Sequence, residues 1–144
     1  MTAYVVEADG GSRRNPGPAA YGAVVLVADA VVRELAGALG VASNNVAEYR
    51  SLIAALEWIA AQPDAQAARV EVRMDSKLVV EQMSGRWKIK HPDMRELALR
   101  ASRALPGHQV RYTWVPRAAN KRADALVNEV LDTGDEELLI DRAP

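Results

Sequence analysis

Four carboxylates in this 144-residue chain stand where a purely structural role explains them poorly: Asp9, Glu48, Asp75 and Asp124. Asp9 meets a Gly-Gly turn at the end of an apolar run, and Glu48 falls between the core-facing Ala47 and Tyr49. Asp75 ends the alternating segment RVEVRM, and Asp124 opens the last apolar-periodic stretch. There are no cysteines and only two histidines, so if these side chains converge they make an oxygen-only site. Oxygen donors suit the hard cations magnesium and manganese, and magnesium commonly combines few carboxylates with water and substrate phosphate. Two such ions about 4 Å apart clamp the attacking and leaving oxygens of phosphoryl transfer. Taken singly, the residues have plainer uses: Asp75 and Glu48 as helix-dipole partners, Asp9 as a turn former. Spacing alone leaves both uses open.

The elements that must position them can be read from periodicity. Residues 3–8 form a β-branched run that stops at DGGSRRNPGPAAYG, followed by strand-like segments over 20–28 and 31–39 with only Asp29 and Ala30 between them. That short link predicts a hairpin, although it lacks the favoured Asn-Gly or Asp-Gly pair. Val46, Tyr49, Leu52, Ile53, Leu56, Ile59 and Ala60 then recur at steps of three and four, an amphipathic helix with cap-type side chains at Ser43, Asn44 and Asn45 and Pro63 beyond its end. RVEVRM alternates as a half-buried strand, and Asp75 and Ser76 can cap a helix through about Ser84. Pro92 starts a third helix with Met94, Leu97, Ala98, Ala101 and Leu105 on one face. Val110, Tyr112 and Trp114 mark a fifth strand, and a last helix runs from about Asn120 to Leu131. The order βββαβααβα predicts an α/β domain over residues 1–131: one mixed five-stranded sheet with helices on both faces. If the first and fourth strands are parallel neighbours, Asp9 and Asp75 emerge together at the carboxyl edge, where open α/β sheets bind ligands.

Composition narrows the function classes. With 49% hydrophobic and 26% charged residues the chain is globular in type, of a size to bury roughly 70% of its unfolded surface. No apolar stretch is long enough to cross a membrane, and the N-terminus lacks the basic region and cleavage site of a secretory signal. Zero cysteines exclude disulfides, thiolate zinc sites and a cysteine nucleophile, and fit a cytoplasmic setting. The formal net charge of -1 hides an asymmetry: residues 129–144 carry six acidic residues against Arg142, a net of -5, leaving +4 on residues 1–128. Residues 132–144 therefore read as an acidic tail or the start of a linker. The body is mildly basic, which suits nucleic acid, but a pI near 6.1 argues against binding driven by charge alone.

The segments around the four carboxylates carry a resemblance. DGGSRRNPGPAAYG around Asp9, NNVAEYRSLIAAL around Glu48, MDSKLVVEQM around Asp75 and NKRADALVN around Asp124 resemble ribonuclease H of type 1, in that family's order and across residues 5–131. The resemblance implies a ribonuclease H-like fold and hydrolysis of the RNA strand of an RNA–DNA hybrid, leaving 5′-phosphate and 3′-hydroxyl ends. It implies two metal ions, with Asp9 bridging both, Asp124 on the ion that activates water, and Glu48 and Asp75 on the ion beside the leaving oxygen. It also implies RNA-side contacts from Asn15, Ser43, Asn44 and Asn45, whose amides and hydroxyl can reach base edges and 2′-hydroxyls in a wide minor groove. Asn120, beside Asp124, joins the expected substrate contacts.

Two departures from the family pattern bear on function. Many relatives carry a basic, Trp-rich protrusion between the second and third helices; here SGRWKIKHPDM is short, with Trp87 and Lys88 as the expected contacts to the DNA strand. Weaker hybrid binding than in those relatives is therefore expected. Many members also place a histidine in the loop before the last acidic residue, whereas WVPRAANKRAD has none and Arg117 is the nearest candidate, which can bind phosphate but stays protonated and is a poor base. His91 and His108 lie elsewhere and read as surface residues. Similar short relatives lacking that histidine include some that accept double-stranded RNA, and some fuse the domain to a carboxyl-terminal phosphatase-like domain. The competing reading is a non-catalytic module that binds hybrids or double-stranded RNA. A monomer is expected, since no apolar stripe remains once the core is filled.

Overall fold

Tyr4, Val6 and Ala8 point to one side of the first strand and pack in one apolar cluster, while Val5 packs in a second cluster on the other side. That alternation sets up a sheet with a core on each face. A computed structural model describes residues 2–144. The strands are β1 (Ala3–Ser12), β2 (Gly17–Val27), β3 (Ala30–Ala42), β4 (Arg69–Met74), β5 (Val110–Trp114) and β6 (Leu139–Arg142). The helices are α1 (Asn44–Ala60), α2 (Lys77–Met83), α3 (Pro92–Ala104) and α4 (Lys121–Thr133). The sheet order is β5-β4-β1-β2-β3-β6, with β1, β4 and β5 parallel to one another and β2, β3 and β6 joined by antiparallel pairings.

Helices cover both faces, as expected. The larger core lies beneath α1, α2 and α3, where Leu52, Leu56, Val79, Val80 and Ala101 meet Val6, Val25 and Val72. On the other face α4 lies alone over β1, β2 and β3, burying Leu126, Val127 and Val130 against Ala20, Val24 and Ala36. Ser43 caps α1 by accepting a hydrogen bond from the Val46 N–H, and Ser76 does the same for α2 through Val79. Among the described residues no helix is long and apolar enough to cross a membrane.

The sheet has six strands rather than the expected five. The sixth comes from the acidic stretch that reads as a tail: Leu139–Arg142 pairs with β3, and Ile140 enters the smaller core at 9% exposure. Its charges are paired at the surface: Asp141 accepts from Arg33 at 2.5 Å, and Arg142 donates to Glu34 at 2.8 Å and Glu129 at 3.1 Å. The first strand is also longer than its sequence suggests, running through Gly10, Gly11 and Ser12 because each has a partner on β2. The hairpin turn falls one residue earlier than expected, at Ala28 and Asp29, which have φ of 50° and 65°.

Two left-handed residues in a two-residue link make the turn type that favours Asn-Gly, and Ala28 adopts it against its own steric preference. Replacing Ala28–Asp29 by Asn-Gly should raise the unfolding free energy by about 1 kcal/mol in urea titrations without changing the slope. An unchanged or lower midpoint would show that the link is not strained.

Candidate active site

The parallel pairing of β1 with β4 puts Ala8 opposite Met74, so Asp9 and Asp75, the next residue on each strand, leave the sheet side by side. Glycines then let two helices come close. A Cβ built on Gly10 would lie 2.2 Å from the Ala47 carbonyl carbon and 2.3 Å from the Glu48 amide nitrogen, so the opening turns of α1 rest directly on β1. Gly22, the partner of Asp9 on β2, does the same for α4: a Cβ there would lie 2.7 Å from the Ala123 carbonyl oxygen. Those two contacts deliver Glu48 and Asp124. All four carboxylates line one open cleft of about 300 Å³, together with Arg13, Asn44, Arg117 and Asn128.

The cleft is electrostatically costly. Burial, then the charges of Asp75, Asp124 and Glu48, push the Asp9 carboxyl up to about 8, opposed by the Gly10 N–H. Burial pushes Glu48 up to about 7; a hydrogen bond from Ser76 opposes that and Asp75 adds to it. Against four carboxylates the lining supplies two guanidinium groups, and Arg117 stands 4.0 Å from Asp124. Such an excess of negative charge on oxygen donors is what a hard cation neutralises. Among the described residues, no three Asp, Glu, His or Cys side chains close on one point as a ready-made cage. The four carboxylates surround open space instead.

The remaining expected residues separate into groups. Asn15 and Asn44 come together: Asn44 Oδ1 accepts from the Ser12 N–H at 2.9 Å, and Asn15 Oδ1 accepts from the Asn44 N–H at 3.1 Å. Ser43, Asn45 and Lys88 line a second groove between the start of α1 and the start of α3. Trp87 is 46% exposed and lines neither cleft nor groove. Arg117 lies in the cleft, whereas His91 caps α3 by accepting from the Asp93 N–H.

Asn120 departs from expectation. It is 1% exposed, so it is out of a substrate's reach. Its Nδ2 donates to the Ala8 carbonyl at 2.8 Å and to Asp75 Oδ1 at 3.1 Å, while its Oδ1 is buried without a partner. As the residue before α4, it ties the strand carrying Asp9, the side chain of Asp75 and the helix carrying Asp124. Sequence reading also missed Arg13, Asn128 and the Glu7–Arg122 pair. Asn128 Nδ2 donates to Asp124 Oδ2 at 3.4 Å, an i,i+4 relation visible in the sequence. Glu7, 5% exposed, is gripped by Arg122 at 2.7 and 2.9 Å, pinning the start of α4 to β1; no periodicity marks that pair.

Comparison with known proteins gives this arrangement a family. A sequence profile described as reverse transcriptase-like matches residues 7–130. The N-terminal RNase H domain of Rv2228c from Mycobacterium tuberculosis superposes with a TM-score of 0.81 at 50% identity, covering 92% of this chain and 96% of that one. The chain belongs to the ribonuclease H family. LC11-RNase H1, solved in complex with an RNA/DNA hybrid, is similar to this ribonuclease H chain with a TM-score of 0.84 at 38% identity, covering 91% and 98% of the two chains. The bifunctional protein Rv2228c of Mycobacterium tuberculosis is 52% identical over 143 residues, 97% of this chain but 38% of that protein. The ribonuclease H chain thus spans about two fifths of the length of that curated relative.

Two outcomes test the geometry. Asp9, with a pKa raised on folding, favours the native state while protonated, and that contribution is lost as pH rises from about 4 through about 8. In EDTA, Asp9→Asn should therefore match the wild type near pH 4 and exceed it at pH 9, by on the order of 2–4 kcal/mol; equal stabilities at pH 9 would remove the repulsion argument. Asn120→Ala leaves the Ala8 carbonyl and Asp75 short of a donor and should cost about 1–3 kcal/mol in urea titrations. A loss near zero would mean that the buried amide holds nothing.

Proposed function

We propose that this chain is an endoribonuclease that hydrolyses the RNA strand of RNA–DNA hybrids with the help of two divalent ions, magnesium first and manganese as its substitute. The observation that carries the reading is the meeting of Asp9, Glu48, Asp75 and Asp124, from four separate motifs, in one cleft. The hybrid bound to LC11-RNase H1, a protein of the same family and fold, supports the choice of substrate.

The all-oxygen donor set fits hard cations. Asp9, whose carboxyl feels all three of the others, is the candidate to be shared by both ions, with Asp124 on one and Glu48 and Asp75 on the other. When bound, the ions would supply a water acidic enough to ionise near neutral pH and would offset charge at the scissile phosphate. Hydrolysis joins a water oxygen to phosphorus and breaks the bond to the 3′ oxygen, giving 5′-phosphate and 3′-hydroxyl ends.

The chain's own residues select and hold the substrate. The side-chain oxygens of Asn15 and Asn44 are already used by backbone N–H groups, so their NH₂ groups remain as donors. Donors suit the acceptor oxygens and nitrogens that RNA displays in its minor groove. Arg117 is a phosphate ligand rather than a base, because a guanidinium keeps its proton. In the groove lined by Ser43, Asn45 and Lys88, Lys88 would meet the DNA strand, while Ser43 and Asn45 would face the RNA strand.

End-labelled RNA annealed to DNA, and separately to RNA, tests the reading with magnesium, manganese or EDTA present. The hybrid should be cut only with metal, and Asp75→Asn should abolish cutting while still melting cooperatively as a folded protein. Cutting in the RNA duplex lane would extend the substrate class. A folded wild type that binds the hybrid but cuts nothing would make the chain a binding module.

A further inference from the structure

Arg13 is the second cation in the lining of the carboxylate cleft. Its backbone is fixed: its N–H donates to the Pro18 carbonyl at 2.8 Å, and the neighbouring Ser12 N–H is held by Asn44. Its guanidinium reaches across to Asp132 in the last turn of α4, Nη2 to Oδ1 at 2.6 Å, with 48% and 69% of the two side chains exposed. Asp132 follows Asp124 by eight residues, about 12 Å along the helix axis. An exposed pair of this kind adds little to a fold. What it does is occupy a cation at the rim of an anionic cleft.

A guanidinium fork that meets a carboxylate also matches a phosphate. Because the main chain around Arg13 is anchored independently, changing partners needs only a side-chain rotation. We propose that Arg13 anchors a backbone phosphate of the nucleic acid away from the scissile one, and that Asp132 is its built-in competitor. Asp132 holds the guanidinium in the free protein and yields it when the strand enters, so the ion pair sets substrate affinity without touching the chemistry. This inference rests on the hybrid-cleaving reading above.

The full chain would be compared with Arg13→Gln, Asp132→Asn and the double variant, by steady-state hybrid cleavage and by anisotropy of a labelled hybrid in EDTA between 50 and 200 mM salt. Arg13→Gln should raise KM roughly threefold to tenfold at unchanged kcat and lower the slope of log affinity against log salt by about 0.7–0.9. Asp132→Asn should lower KM roughly twofold to fivefold, and that gain should vanish in the Arg13→Gln background. Thermal melts of all four should agree, which a structural ion pair would not allow. If the gain persists without Arg13, Asp132 merely repels phosphate and the inference is overturned; an unchanged KM and salt slope in Arg13→Gln overturn it equally. A wild type that neither cuts nor binds the hybrid would sink the parent reading and this one with it.

Discussion

Four like charges held in one partly buried cleft are the constraint around which this fold is arranged. Left to themselves carboxylates separate and hydrate, and burial against each other pushes Asp9 to about 8 and Glu48 to about 7. The scaffold must therefore fix their carriers by contacts that do not involve the charges. It does so with backbone: parallel pairing places Asp9 beside Asp75, and two glycines, Gly10 and Gly22, let α1 and α4 lie against the strands without a Cβ between. Steric room, rather than attraction, brings Glu48 and Asp124 in.

The same edge is where three helices begin. α1 starts four residues before Glu48, α2 two residues after Asp75 and α4 three residues before Asp124. Helix N-termini carry partial positive charge and free N–H groups, each contributing roughly 0.3–1 kcal/mol to a nearby anion. Parallel strands with crossover helices produce this geometry automatically, since each helix that leads away from a strand's carboxyl end points its N-terminus there. Asn120 and the Glu7–Arg122 pair then lock α4 in place from the cleft side and from the sheet side. Repulsion in the cleft is opposed by dipoles in front of it and by a buried amide and ion pair behind it.

Much of this was legible from residues alone. The three-and-four spacing of Tyr49, Leu52, Ile53 and Leu56 fixed α1, and strict alternation fixed β4, because both elements bury one face. The carboxylates could be placed because each sits at the end of such an element. Less legible was anything decided by a partner far along the chain. Gly10 and Gly11 read as a turn, yet pairing with Tyr21 and Ala20 keeps them in β1, since strand formation follows context more than propensity. The stretch after Asp132 reads as solvated by composition, and Asp135, Glu136 and Glu137 are indeed exposed, but Arg33 pairs with Asp141, Glu34 and Glu129 pair with Arg142, and β3 supplies an open edge. In the sequence Asn120 reads as a substrate contact near Asp124, but burial shows that it faces inward and holds Asp75.

The arginine content illustrates why counting charges misleads about binding. Eight of the fourteen arginines stand within 2.9 Å of a carboxylate, so most of the basic excess is already spent inside the molecule. Ion pairs on a surface stabilise it weakly, but they lower the potential that a polyanion feels. For the hybrid-binding role proposed above, attraction at long range is consequently modest, and recognition must rest on positioned donors. The asparagine pair meets that need: Asn15 holds the Asn44 backbone, Asn44 holds the Ser12 backbone, and each is thereby left with one orientation of its amide. A donor fixed in advance loses little entropy when an acceptor arrives, so a short loop and few free cations remain compatible with selective binding.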